Sequence, residues 1–221
     1  TRIESSAASD VYKRQSPNNP TGTAKTLSEI KDFLKNLPDD ILVFLDQAYY
    51  EYIEGSEFDI PFSLIDDHPN LVISRSFSKA HGLAALRLGF CVSNPELSDY
   101  LNRVRQPFNA NSLALDLGKV ALSDQEHISK AVKINSSGME RVKKAFANLH
   151  YNFIESWGNF ISFDAKQDSD DAFQYFLEKG VILRSLKVYE MPQHLRVSIG
   201  TEEEMDFFLQ VLEDYEKDLS K

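Results

Sequence analysis

At 221 residues and a formal net charge of -10, the chain has room for one large domain or two small ones and lacks the basic face that a nucleic-acid backbone binder needs. An apolar content of 42% supports a real core and excludes global disorder, and no apolar run approaches the length of a membrane span. No secretory signal is legible. The single cysteine, Cys91, cannot form an internal disulfide and reads as a buried structural thiol in a reduced, cytoplasmic compartment.

Residues 1–15 are polar and lack a clean helical or strand period, so they read as a leader unlike the rest: a cloning scar, a translated adaptor or a mis-joined exon. Ser16-Pro17-Asn18-Asn19-Pro20-Thr21-Gly22 then forces a tight turn. Thr26 and Glu29 predict a capping box, followed by a helix with the stripe Leu27, Ile30, Leu34 and Leu37 that Pro38 stops. Ile41 to Leu45 is a continuous apolar run, as expected of a strand buried on both faces, and it ends in Asp46-Gln47-Ala48-Tyr49. A carboxylate at that place is costly unless something pairs with it, and the carboxyl edge of an open α/β sheet is where ligands bind.

A short helical piece near Ser63 leads to a strand at Leu71 to Ile73, a lysine loop, and a second strand at Leu88 to Val92. Asn94-Pro95 opens a helix with Leu97, Tyr100, Leu101 and Val104 on one side. From Asn111 to about Leu149 the pattern is helical, with an interruption near Ser123. Beyond Tyr151 the pattern predicts strands at Phe153, at Gly158 to Phe163, at Val181 to Leu183 and at Leu195 to Ile199. A helix from about Asp170 ends at Gly180, and a last helix is capped by Thr201 and Glu204. This tail is a small α+β domain.

The most informative stretch is Ser76-Phe77-Ser78-Lys79-Ala80-His81-Gly82, with Arg87 eight residues past the lysine. A lysine at a strand end between hydroxyls and an arginine suits Schiff-base chemistry with a carbonyl cofactor, the hydroxyls and the arginine holding a phosphate. Each residue also has an ordinary structural role open to it. Asn19 can be a turn residue, Tyr49 can pack, Asp46 can cap, the serines can bond local backbone, and the arginines can form surface ion pairs.

Asn19-Pro20-Thr21-Gly22, Asp46 with Tyr49, and Ser76-x-Ser78-Lys79 with Arg87 together resemble the class I/II aminotransferases, which depend on pyridoxal phosphate. The wording of Asp46-Gln47-Ala48-Tyr49-Tyr50-Glu51-Tyr52, of Lys79 to Phe90 and of Leu195-Arg196-Val197-Ser198 is most similar to the histidinol-phosphate aminotransferases among them. The resemblance covers about residues 16–215. It implies a partial fold type I α/β architecture: residues 16–108 as the latter half of a large cofactor domain with a mixed sheet, and residues 109–221 as connector helices plus a small α+β domain.

The resemblance also implies roles. Lys79 forms the Schiff base and moves the α-proton; Asp46 pairs with the pyridine nitrogen; Asn19 and Tyr49 bond the ring's 3′-oxygen. Ser76, Ser78 and Arg87 hold the cofactor phosphate, Arg196 binds the substrate carboxylate, and Arg184 is a candidate for the distal phosphate of the substrate. No metal is expected, His81 is expected to pack, and Gln47 stands where the family often has glutamate. The implied reaction moves an amino group between histidinol phosphate and 2-oxoglutarate or glutamate in a homodimer.

Aromatic amino acid transamination and decarboxylation of a phosphorylated amino acid share the same core. Because family members carry a long segment before the Asn-Pro-Thr-Gly turn, the expectation is a fragment. It lacks the strand entering Ser16 and has no activity alone, and a non-catalytic piece is the third reading.

Overall fold

The computed structural model describes residues 11–38 and 40–219, which divide into two units. The first takes the chain up to Pro17 and Ala24–Ile128; the second takes Asn18–Thr23 and Ser129–Lys221. The compact units divide at 128, where the sequence reading sets a boundary at 108, and the helix at 112–123 falls in the first unit. The first ten residues of the expected leader lie outside the described residues.

The first unit is built on a four-stranded sheet in the order β1 (Val11–Gln15), β2 (Leu42–Asp46), β3 (Leu71–Ser76), β4 (Gly89–Val92). The first three strands are parallel and β4 is antiparallel to β3. Parallel neighbours need crossovers. Here α1 (Leu27–Lys35) joins β1 to β2, and α2 (Leu64–Asp67) lies between β2 and β3. The Thr26–Glu29 capping box forms in both directions, with Glu29 N–H on Thr26 Oγ1 at 3.2 Å and Thr26 N–H on Glu29 Oε2 at 2.9 Å. Val43, Leu45, Leu71 and Ile73 point to one face of the sheet and close a core with Ile30, Leu34, Leu64 and Ile65.

Several expectations need correction here. Val11–Gln15 is a strand paired with Leu42–Asp46, so a strand does enter Ser16; its polar sequence suits an edge, where Val11 to Arg14 are all exposed. Leu42 and Phe44 are only half-buried, so β2 alternates rather than being covered on both faces. Cys91 is exposed: β4 is the other edge, and its alternation turns Phe90 and Val92 inward and Cys91 out. Beyond β4, α3 (Pro95–Val104) carries no fully buried residue, and α4 (Ser112–Ser123) buries only Ala114 and Gly118.

The second unit begins within α5 (Gln125–Asn148), which the first unit shares. Its sheet runs β5 (Phe153–Ile154), β6 (Phe160–Asp164), β8 (His194–Ser198), β7 (Arg184–Ser185), every pair antiparallel. The strand expected at Val181 to Leu183 is irregular, and pairing starts at Arg184. The helix α6 (Ser169–Glu178) ends as expected, with Gly180 in the left-handed region at φ 86°. The final helix, α7 (Glu202–Leu219), has its capping box, with Thr201 N–H on Glu204 Oε2 at 2.7 Å and Glu204 N–H on Thr201 Oγ1 at 3.3 Å.

Candidate active site

Parallel pairing sets the first unit's polar edge. Asp46 lies opposite Ser74 in register, and because side chains alternate, Asp46, Ser74 and Ser76 share one face at the carboxyl ends of their strands. The carboxylate expected to need a partner has one. Asp46 Oδ2 pairs with Lys13 Nζ at 3.2 Å, and Oδ1 accepts from Ala48 N–H at 3.1 Å. Lys13 comes from the stretch read as leader, so the spacing of motifs alone did not reveal it.

The lysine loop is a closed turn. Ser78 N–H donates to Ser76 Oγ at 3.0 Å, Gly82 N–H to Lys79 C=O at 2.9 Å, and Leu83 N–H to Phe77 C=O at 2.9 Å. Gly82 sits at φ 70°, which only glycine adopts freely. Lys79 Nζ lies 5.1 Å from the centroid of the buried Tyr49 ring. Arg87 is exposed and left-handed at φ 51°; its Nη1 donates to Ala84 C=O at 2.7 Å and reaches Ser78 Oγ at 3.5 Å. The structure thus brings Ser76, Ser78, Lys79 and Arg87 onto one loop and Tyr49 beside the lysine.

A second polar cluster on the opposite side of this sheet escaped the motif reading. Gln47 is fully buried, and its Oε1 accepts from Arg75 Nε at 3.3 Å. The Arg75 guanidinium carbon lies 3.4 Å from the Tyr50 ring centroid and 4.3 Å from that of Phe62. Glu51 is burial-shifted: desolvation raises its carboxyl above the ordinary value, opposed by the charge of Arg75. His81 Nε2 lies 3.7 Å from Glu51 Oε1, and the His81 ring packs 4.9 Å from that of Phe77, so it packs as expected and also faces a carboxylate. Burial lowers the His81 imidazole below its ordinary value. The signal that could have found this cluster is the alternation in Ser74-Arg75-Ser76, which sends the arginine to the face opposite the two serines.

In the second unit, the Asn18–Thr23 turn is fixed by Ser162 Oγ donating to Pro20 C=O at 2.7 Å and Trp157 N–H donating to Gly22 C=O at 2.9 Å. Both Ser16-Pro17 and Asn19-Pro20 bonds are cis. Gly22 is obligatory twice over, by its φ of 77° and because a Cβ there would collide with the Ser156 side chain. Arg196 Nη1 donates to Asn19 Oδ1, and its guanidinium carbon stacks 4.7 Å from the Phe160 ring centroid. Arg196 Nε is buried with no hydrogen-bond partner. Arg184 is exposed and lies directly opposite Arg196 in the β7–β8 register. Two like charges facing each other across a ladder are unfavourable without an anion, so this pair suits carboxylate or phosphate binding.

The chain is 46% identical over 197 residues to histidinol-phosphate aminotransferase 1 of Nitrosococcus oceani, covering 89% of this chain and 53% of that protein. The chain therefore spans about half the length of the curated relatives it matches. Its fold superposes on the crystal structure of histidinol-phosphate aminotransferase from Sinorhizobium meliloti in complex with pyridoxal-5′-phosphate, with a TM-score of 0.87 at 25% identity, covering 95% of this chain and 58% of that one. It also matches the fold of L-threonine-O-3-phosphate decarboxylase from Porphyromonas gingivalis, with a TM-score of 0.81 at 23% identity, over 96% of this chain and 65% of that one. The family model for aminotransferase class I and II matches residues 9–212, and the chain belongs to that family.

Proposed function

We propose that this chain supplies the catalytic lysine and most of the cofactor contacts of a pyridoxal-phosphate-dependent aminotransferase acting on histidinol phosphate with 2-oxoglutarate or glutamate. The observation that carries the reading is the loop Ser76–Lys79 on β3, with Asp46 of the adjacent strand on the same face and already holding a cationic N–H donor, Lys13, at 3.2 Å. A protonated ring nitrogen offers the same kind of partner, so the donor set fits the cofactor. When bound, pyridoxal phosphate supplies a carbonyl that condenses with amines and a protonated ring that withdraws electrons from the substrate α-carbon.

The chain's own residues do the rest. The Asp46 carboxylate keeps the ring nitrogen protonated. Lys79 Nζ is the amine that holds the cofactor and the base that takes the α-proton. Tyr49 and Asn19 are the hydrogen-bonding groups for the ring's 3′-oxygen. Ser76, Ser78 and Arg87 bind the cofactor phosphate, Arg87 by a charge-assisted contact. Arg196 takes a substrate carboxylate, for which its planar fork, steadied on Phe160, is suited. Arg184, opposite it, takes the distal phosphate. Among the described residues no helix is long and apolar enough to cross a membrane. The reading places the enzyme in the cytoplasm, on its composition and single cysteine, and makes it a homodimer, by resemblance.

The test has two arms. Protein incubated with pyridoxal phosphate and reduced with borohydride is mapped by peptide, and the pyridoxyl group is expected on Lys79; a label confined to other lysines overturns the assignment. The chain is then joined to the upstream half of the Nitrosococcus oceani relative and assayed with histidinol phosphate, aromatic amino acids and phosphothreonine. Preferred turnover of histidinol phosphate supports the substrate, and preferred use of either other class replaces it.

A further inference from the structure

The cluster behind the lysine loop has a use that the roles above leave unassigned. Arg75 sits between Ser74 and Ser76 in β3, so its side chain leaves the sheet on the face opposite Asp46 and Ser76. There it meets residues from both sides of the site. Gln47, which directly follows Asp46, donates its N–H to Ser74 C=O at 2.8 Å and accepts from Arg75 Nε at 3.3 Å. Glu51, four residues further on, places Oε1 3.7 Å from His81, which stands two residues past Lys79. The guanidinium carbon lies over the rings of Tyr50 and Phe62, at 3.4 and 4.3 Å from their centroids. One planar cation thus connects the segment carrying Asp46 to the strand that delivers Lys79.

The cluster has no spare bonds to take over if this one is lost. Gln47 Nε2 and Glu51 Oε2 are buried and already lack hydrogen-bond partners. Removing Arg75 would leave Gln47 Oε1 unpaired as well and Glu51 without its nearby cation, and buried polar groups without partners are costly. A lysine cannot replace the fork, because an ammonium neither stacks on aromatic rings as a guanidinium does nor presents its fixed N–H geometry.

We propose that Arg75 is a positioning residue. From the far face of β3 it sets the Ser76–Lys79 turn against the Asp46 strand, and this inference rests on the reading of Lys79 as the cofactor-binding amine. A cavity of about 460 Å³ lined by Tyr50, Glu51, Arg75 and His81 adjoins the guanidinium. It gives a small guanidine access to the place that Arg75 would vacate.

The experiment uses the 221-residue chain and the variants Arg75→Ala and Arg75→Lys. Pyridoxal phosphate with borohydride labels accessible lysines, and the share on Lys79 is measured against exposed Lys25 and Lys119 as internal standards. Hydrogen exchange of the Gly82 and Leu83 amides reports the turn without any cofactor. In Arg75→Ala the Lys79 share is expected to fall about tenfold. Exchange at Gly82 and Leu83 should quicken about tenfold, with α7 unchanged and both effects reversed by millimolar methylguanidine. Arg75→Lys, which keeps charge and most of the stem, should fold and show the loss without that rescue.

An unaltered Lys79 share and unaltered turn exchange in Arg75→Ala would overturn the proposal. So would loosening spread over β2 and β3 that methylguanidine does not reverse, since that marks packing alone. If the unsubstituted chain takes no label on Lys79, the reading of that lysine fails, and the exchange measurement still decides the role of Arg75.

Discussion

The two units spend their side chains differently. In the second, Phe146, Phe163, Phe176, Phe208 and Tyr215 are all essentially buried, with ring pairs as close as the 4.6 Å between Phe146 and Phe163. Its antiparallel sheet and three helices share one aromatic core. In the first unit an aliphatic cluster fills one face of the sheet, while the other face buries Val72 and carries Asp46, Ser74 and Ser76 toward its carboxyl end. A closed aromatic core gives stability and leaves little room for chemistry. A sheet whose carboxyl edge stays open can hold a charged group there at modest cost, because that group stays partly wet and paired. Asp46, with a side chain 17% exposed and Lys13 beside it, is that case.

The sharpest way to break this comparison is Phe146→Ala. Emptying a fully buried aromatic site should cost about 3–5 kcal/mol, read as a lower denaturant midpoint for the second unit's transition; a loss below about 1 kcal/mol would show that this core is loosely packed. Asp46→Asn should do the reverse. Turnover in the joined full-length protein should drop by a barrier increase of about 3 kcal/mol, as for loss of a preorganised electrostatic stabiliser, while thermal stability barely moves. Near-normal turnover would leave Asp46 a structural residue.

A matched pair then asks whether local helix physics differs between the units. Thr26→Ala and Thr201→Ala each remove a capping-box hydroxyl, and each should cost about 1 kcal/mol. A large disparity in calorimetry would mean that one of the two boxes is not formed in solution.

The smallest effect is on the pH dependence that His81 and Glu51 give the first unit. The His81 folded value is below its ordinary 6.5, so under that pH the unfolded chain binds a proton that the folded chain refuses, and stability falls as pH drops from 6.5. The Glu51 folded value is above its ordinary 4.5, so the folded chain keeps a proton that the unfolded chain loses, and stability falls as pH rises from 4.5. Between these pH values the two oppose each other, with Arg75 and His127 as the neighbouring charges. Glu51→Gln should steepen the loss toward acid and His81→Gln should reverse its sign, both followed by denaturant midpoints from pH 4.5 to 6.5.

Much of this protein is legible in one dimension because its signals are local. Capping boxes at Thr26 and Thr201, the left-handed Gly180, and the breaks around Pro38 and Ser123 depend on a few consecutive residues, and they reappear in the structure where the pattern puts them. The Asn-Pro-Thr-Gly turn and the lysine loop are legible for the same reason, because their chemistry is concentrated in short stretches. Three things were left to tertiary structure. Val11–Gln15 has no apolar alternation of its own and becomes a strand only because β2 offers it a parallel partner. Cys91 lies in a run that reads as buried, yet β4 is an edge and turns it outward. Arg75 looks like a loop arginine between serines, and only the stacking of Tyr50 and Phe62 with the bond to Gln47 shows what it holds, since partners 28 residues apart in sequence meet only when two strands pair.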